Sequence, residues 1–165
     1  MEAESKTISQ ELKEMFESDQ DDRKNWRTGG TDWKIVKPRD EARLKRVEEL
    51  YSQGLLEMGD DLMNAAMIYQ HGDKSEHYQR AMELSRKAGE LGRLDGKTFS
   101  ALAEDRYLLS IGKAQIWGTQ FTRHTVDEPW KPTEPFNREA KTDEERKDMG
   151  LTDIEEKLRD LNSRK

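Results

Sequence analysis

Arg106 stands in the middle of an apolar stripe. The segment Asp95 to Ile111 repeats apolar residues at helical spacing, with Phe99, Leu102, Ala103 and Leu109 on the inner face. Arg106 projects between Leu102 and the Phe99/Ala103 pair. A guanidinium buried alone costs several kcal/mol unless it is paired and hydrogen-bonded. Either a carboxylate approaches it, or the stripe opens onto a water- or ligand-filled pocket. Asp105 lies on the adjacent apolar flank and poses the same problem, so a buried Arg–Asp network fixing helix register is the structural alternative. Glu104 falls on the solvent face.

Three other stretches carry polar groups in places that invite chemistry. His71 ends one helical pattern and Asp73 begins the next. Their ordinary roles are a favourable helix-dipole contact and an N-terminal cap. Brought to the same end of a bundle, they would also form an imidazole–carboxylate acid–base pair. Ile8, Leu12, Met15 and Phe16 form a stripe that Asp19, Asp22, Arg23 and Trp26 continue, so a buried face turns polar. Asp19 and Arg23 have the i,i+4 spacing of an ion pair. The segment Gln115 to Gln120 offers the amides of Gln115 and Gln120, the Thr119 hydroxyl and Gly118, beside Trp117. It suits hydrogen bonding to a polar ligand, or a turn leading into an edge strand.

Other chemistries lack their residues. The chain has no cysteine, hence no disulfide, thiolate metal site or cysteine nucleophile. None of His71, His77 and His124 stands four residues from another, so no metal and no cofactor is expected. There is no glycine-rich phosphate loop, no nucleophile elbow, and no serine beside a histidine. The net charge of −6 argues against duplex nucleic acid and weakly against anionic membranes. No run reaches the length of a spanning helix. Met1 to Lys6 is charged and lacks the apolar run of a signal peptide. A soluble, cytoplasmic protein is the expectation.

The elements that must position these groups are helical. A hydrophobic fraction of 32% against 39% charged requires the core to be concentrated in part of the chain. Thr7 to Asp22 reads as an amphipathic helix opened by a Thr7/Gln10 capping box. Arg27 to Arg39 reads as a loop, broken by Gly29-Gly30 and closed by Pro38, with Trp33, Ile35 and Val36 as a short extended piece. Asp40 to Gln53 is the second helix, its inner stripe Leu44, Val47, Leu50 and Tyr51. Asp60 to His71 is apolar nearly all round and therefore central. The next helix opens with an Asp73/Glu76 box and turns Tyr78, Ala81, Met82, Ser85, Ala88, Gly89 and Leu91 inward, leaving His77 at the edge of a solvated face. Gly72, Gly92 and Gly112 close three successive helices, so neighbours should pack as antiparallel hairpins. After Gly112 come a short hairpin over Gln115 to Thr125, a proline-rich strap over Asp127 to Asn137, and two charged helices with Thr142/Glu145 and Thr152/Glu155 boxes. The expected fold is mainly α, a compact bundle of about five helices with a hairpin or strap after Gly112. Residues 1–137 form one helical domain and residues 138–165 a charged, partly frayed tail.

The phrases Asp19-Gln20-x-x-Arg23, Ala65-Ala66-Met67-Ile68-Tyr69-Gln70-His71-Gly72-Asp73, Asp105-Arg106-Tyr107-Leu108-Leu109-Ser110-x-Gly112-Lys113-x-Gln115 and Gly118-Thr119-Gln120 resemble an uncharacterised, mainly bacterial domain family of unknown function. The resemblance runs from about Leu12 to Phe136. It implies no activity, but implies that these polar residues, Gln20 included, belong to one module. The leading expectation is a polar pocket for a small polar or anionic molecule, with hydrolase- or lyase-like acid–base chemistry. His71, Asp105 and Arg106 are its candidate catalytic groups. Asp19, Gln20, Arg23, Asp73, Gln115, Thr119 and Gln120 are its candidate ligand contacts. The competing expectation is a non-enzymatic helical-hairpin module that binds a protein, in which the same residues are structural.

Overall fold

The computed structural model describes residues 6–163, so the reading of the first five residues and of a frayed end at 164–165 lies outside the described residues. The chain is mainly helical. Helix α1 is Ile8–Arg23, α2 Trp33–Ser52, α3 Gly59–Gln70, α4 Ser75–Glu90 and α5 Gly96–Ser110. Two-residue strands β1 (Phe121–Thr122) and β2 (Lys131–Pro132) pair antiparallel, Phe121 opposite Pro132. Helices α6 (Asp143–Asp148) and α7 (Ile154–Ser163) follow.

Helix α3 is the axis of the core. Leu62, Met63, Ala65, Ala66, Ile68 and Tyr69 are all buried, against Leu12 of α1, Val47 and Leu50 of α2, and Ala81, Leu84 and Ala88 of α4. Helices α3, α4 and α5 follow one another through short turns and pack as successive hairpins. Small residues set the α4–α5 spacing. A Cβ on Gly96 would stand 2.5 Å from the Gly89 nitrogen and 2.5 Å from the Ser85 carbonyl oxygen. Such an approach is open only to glycine.

Several sequence expectations need correction. Helix α2 starts at Trp33, seven residues before the expected Asp40, and contains Pro38. The Asp32 carboxylate caps it by accepting from the Lys34 N–H at 3.0 Å. Pro38 is the sixth residue of the helix and removes the one backbone bond that its N–H would have given the Lys34 carbonyl. Trp33 and Ile35 are therefore helical and exposed, while Val36 joins the core. Helix α4 is not opened by an Asp73/Glu76 box. The His77 imidazole reaches back instead, its Nδ1 accepting from the N–H groups of Asp73 (3.2 Å) and Lys74 (3.3 Å). His77 is buried rather than at a solvated edge, and packs so closely on Gly72 that a Cβ there would meet its ring. Leu91, expected inward, is exposed at the α4 terminus.

The last segment is packed onto the body. Arg146 is buried and donates to the carbonyls of Trp117 (2.7 Å) and Thr152 (3.1 Å). Thr98 of α5 donates to the Met149 carbonyl at 2.7 Å, and Leu161 is buried. The Thr142/Glu145 box forms, whereas α7 is capped by Asp153, whose Oδ1 accepts from Glu155 and Glu156, and not by Thr152. Among the described residues no helix is long and apolar enough to cross a membrane.

Candidate functional site

Helix α1 delivers Asp19 to the interior because position 19 continues the stripe of Leu12 one heptad on. Asp19 is 1% exposed. Its Oδ1 accepts from Arg23 Nη1 and from His71 Nδ1, both at 2.8 Å, and its Oδ2 accepts from Gln20 Nε2 at 2.8 Å. An ionised carboxylate only accepts, so the His71 Nδ1 carries the proton. Nε2 is the ring nitrogen that Asp19 does not engage, and His71 lines a cavity.

Helix α2 supplies the countercharges. Arg23 donates to both oxygens of Asp40, at 3.0 and 2.5 Å. Arg43 donates to Asp40 (2.8 Å), Asp22 (2.9 Å) and the Ser18 hydroxyl (3.0 Å). Burial pushes the Asp40 carboxyl up, but the hydrogen bonds from Arg23 and Arg43 outweigh it and hold the group below its ordinary value. Asp22 is likewise pushed up by burial and pulled further down by Arg43 and Arg39. Sequence reasoning missed Asp40 and Arg43. Their signal was present: Val36, Asp40, Arg43, Val47 and Leu50 are spaced as a single heptad stripe, and two charges on such a stripe must find each other.

Among the described residues Arg106 is paired with no carboxylate. Its Nη1 donates to the Gln70 carbonyl at 2.7 Å and its Nε to Gln120 Oε1 at 3.2 Å. Gln70 is the last residue of α3, so the guanidinium caps a helix C-terminus, whose partial negative charge replaces a counterion only in part. The Tyr78 ring centroid lies 5.8 Å away. Burial lowers the pKa of Arg106, partly offset by Tyr78, and the nearby Arg23 lowers it further. Arg106 Nη2 has no hydrogen-bond partner among the described residues, and the side chain lines the same cavity as His71.

Asp105 and the loop after Gly112 form a different construction. Asp105 is fully buried. Its Oδ1 accepts from the N–H groups of Ile116 (2.8 Å) and Trp117 (2.9 Å), its Oδ2 from the Thr119 N–H (3.0 Å) and hydroxyl (2.7 Å). The Gln115 amide donates to the carbonyls of Gln120 and Thr133 and accepts from the Gln120 N–H. Glu104, expected to be idle, accepts from the Trp117 indole at 2.8 Å. The loop's polar groups are thus spent on one another. Asp105, Gln115, Thr119 and Gln120 do not line the cavity, and only Gln120 reaches towards it, by holding Arg106. The hydrogen bonds of Asp105 go to the loop, which it holds in shape.

The cavity, about 770 Å³, lies between α1, α2 and the α3–α4 turn, with Arg106 in its wall. It brings together Gln20, Arg23, His71, Asp73 and Arg106, with Asp19 behind His71 and Arg23. Trp26, which the α1 stripe had included, also lines it, as do Trp33 and Lys37, to which the sequence did not point. Its walls carry Arg23, Lys24, Arg27, Lys37 and Arg106 against the carboxylates Asp40, Glu41 and Asp73. By formal charge the lining is cationic, five basic side chains against three carboxylates, on a chain whose net charge is −6. Among the described residues no group of three or more His, Asp or Glu side chains is placed to hold a metal ion.

Compared with known proteins, residues 6–164 match the model of a Family of unknown function (DUF6624). No curated protein and no solved structure matches the chain.

Proposed function

We propose, from the premise that this chain belongs to the family of unknown function DUF6624, that it binds a small anionic ligand at Arg106, with His71 as its proton-transfer group. What carries the reading is Arg106, a largely buried cation compensated by dipoles alone beside an open cavity. Desolvation of a guanidinium costs several kcal/mol. A ligand phosphate, sulfate or carboxylate at Nη2 would complete its shell with a charge-assisted hydrogen bond.

The chemistry available beside that anion is general acid–base catalysis. Asp19 fixes the His71 ring with Nδ1–H towards itself. In the Nδ1–H tautomer the ring offers Nε2 to accept a proton from a ligand hydroxyl or a water and to return it to a leaving group, as hydrolase- or lyase-like reactions require. Arg23 and Gln20, on the same carboxylate, hold Asp19 in place.

Thermal melting tests the reading. Wild-type protein in inorganic phosphate should melt above protein in chloride of equal ionic strength. Binding contributes about 2.7 kcal/mol at a hundredfold excess over Kd, or roughly 5–10 °C for a chain this long. Arg106→Met, which keeps the stem and removes the charge, should abolish the increment. An equal increment in Arg106→Met would place the anion elsewhere.

A second reading has one observation in its favour. Leu91 and Leu94 on the α4–α5 turn and Met58 at the start of α3 are largely exposed, Leu94 almost completely. In a protein-binding module they would be the contact surface, and binding of a protein partner would survive Arg106→Met and be lost on Leu94→Glu.

A further inference from the structure

Two indoles, Trp26 and Trp33, stand in the wall of the cavity. Trp26 is 41% exposed and Trp33 54%, and both line the same cavity as Arg106. The chain has four tryptophans. Placing two of them half in water in one cavity wall forgoes a large share of their burial, which asks for a reason. Each is set by its neighbours. The Arg23 guanidinium, locked onto Asp19 and Asp40, lies 5.8 Å from the centroid of Trp33. The Trp130 ring meets Trp26 edge-on at 5.4 Å between centroids.

The size of the cavity points the same way. A volume of about 770 Å³ is in the range that holds a drug-sized molecule, and far exceeds one tetrahedral anion. Arg106 accounts for one end of an occupant and leaves the aromatic end unexplained. Inner cation and outer indoles are the complement of a molecule that is anionic at one end and flat at the other.

We propose that the ligand is a heteroaromatic ring joined to a phosphate-type anion, of mononucleotide size, its ring against Trp33 and Trp26 and its anion on Arg106. This rests on the anion-binding reading of the same cavity. Stacking a nucleobase on an aromatic side chain contributes roughly 5- to 150-fold in affinity. Lys24, Arg27 and Lys37 lie around the same cavity and add to its attraction for phosphate.

Calorimetric titration of the full chain with inorganic phosphate, adenosine 5′-monophosphate, the monophosphates of the other bases, and adenosine tests both layers. The expected result is a nucleotide at least fivefold tighter than phosphate, with Trp33→Ala returning it to the phosphate level and leaving phosphate itself unchanged. Trp33 is exposed, so this variant leaves the core intact. Should every nucleotide bind no tighter than phosphate, the ring assignment is wrong and the anion site stands. Should adenosine bind as tightly as its monophosphate, the anion site fails. Binding of none of the probes would overturn both.

Discussion

Asp105→Ala should cost this protein most of its stability. The carboxylate is fully buried and gathers the backbone N–H groups of Ile116, Trp117 and Thr119 together with the Thr119 hydroxyl. Truncation leaves three N–H donors without an acceptor, that of Trp117 buried and those of Ile116 and Thr119 part-buried, at up to about 1–3 kcal/mol each. The sum, up to roughly 3–9 kcal/mol, is comparable with the about 5–15 kcal/mol that keeps a domain folded. Asp105→Asn is the discriminating variant. Its carbonyl can still serve Ile116 and Trp117, while its NH₂ faces the Thr119 N–H, so one donor is orphaned at about 1–3 kcal/mol. For a chain of this size that is a fall in Tm of roughly 2–12 °C. Urea titration followed by tryptophan fluorescence reads both variants. Asp105→Ala within ~1 kcal/mol of wild type would refute the loop-scaffold role.

The Arg23–Asp40–Arg43–Asp22 network makes stability acid-sensitive. Asp40 and Asp22 have folded pKa values below the ordinary 3.8, so the unfolded chain binds more protons and the contribution is full above 3.8 and lost as pH falls through the folded values. Urea titrations between about pH 5 and pH 2 should show a shallower decline for Asp40→Asn than for wild type, and parallel curves would remove Asp40 from the account. His71 should show the Nδ1–H tautomer in long-range proton–nitrogen spectra at neutral pH, because Asp19 can only accept; a dominant Nε2–H tautomer would break the Asp19–His71 pair as a proton-transfer unit.

The readability of the sequence followed the range of the interactions. The Thr7/Gln10 and Thr142/Glu145 boxes were legible because each is closed within four residues, and both form. The apolar surround of α3 made it central, and Ser85 and Gly89, small residues on the inward stripe of α4, are where Gly96 of α5 approaches. The start of α2 was hidden because Pro38 resembles a boundary, whereas Asp32 caps the helix ahead of it. For the site, the stripe analysis found Arg106 and Asp19, residues whose polarity contradicts their position. It singled out Asp105 as well, but could not say where its donors come from, because a buried carboxylate looks the same whether they belong to a ligand or to a loop eleven residues on. The pairing of Asp19 with His71, fifty-two residues apart, depends on the α1–α3 packing and leaves no local trace. Trp33 and Lys37 reach the cavity only because residues 33–39 are helical, which the loop reading had excluded.

The claim at the centre is that Arg106 is a cation awaiting an anion. Nitrogen-detected NMR of the arginine side chains, titrated with inorganic phosphate, observes that group itself. The Arg106 signals, assigned by their disappearance in Arg106→Met, should shift saturably, and the His71 ring nitrogens should shift with the same midpoint. Surface arginines such as Arg46, ion-paired to Glu11 and Glu49, should drift only with ionic strength. A spectrum in which Arg106 and Arg46 drift alike, without saturation, would contradict the account.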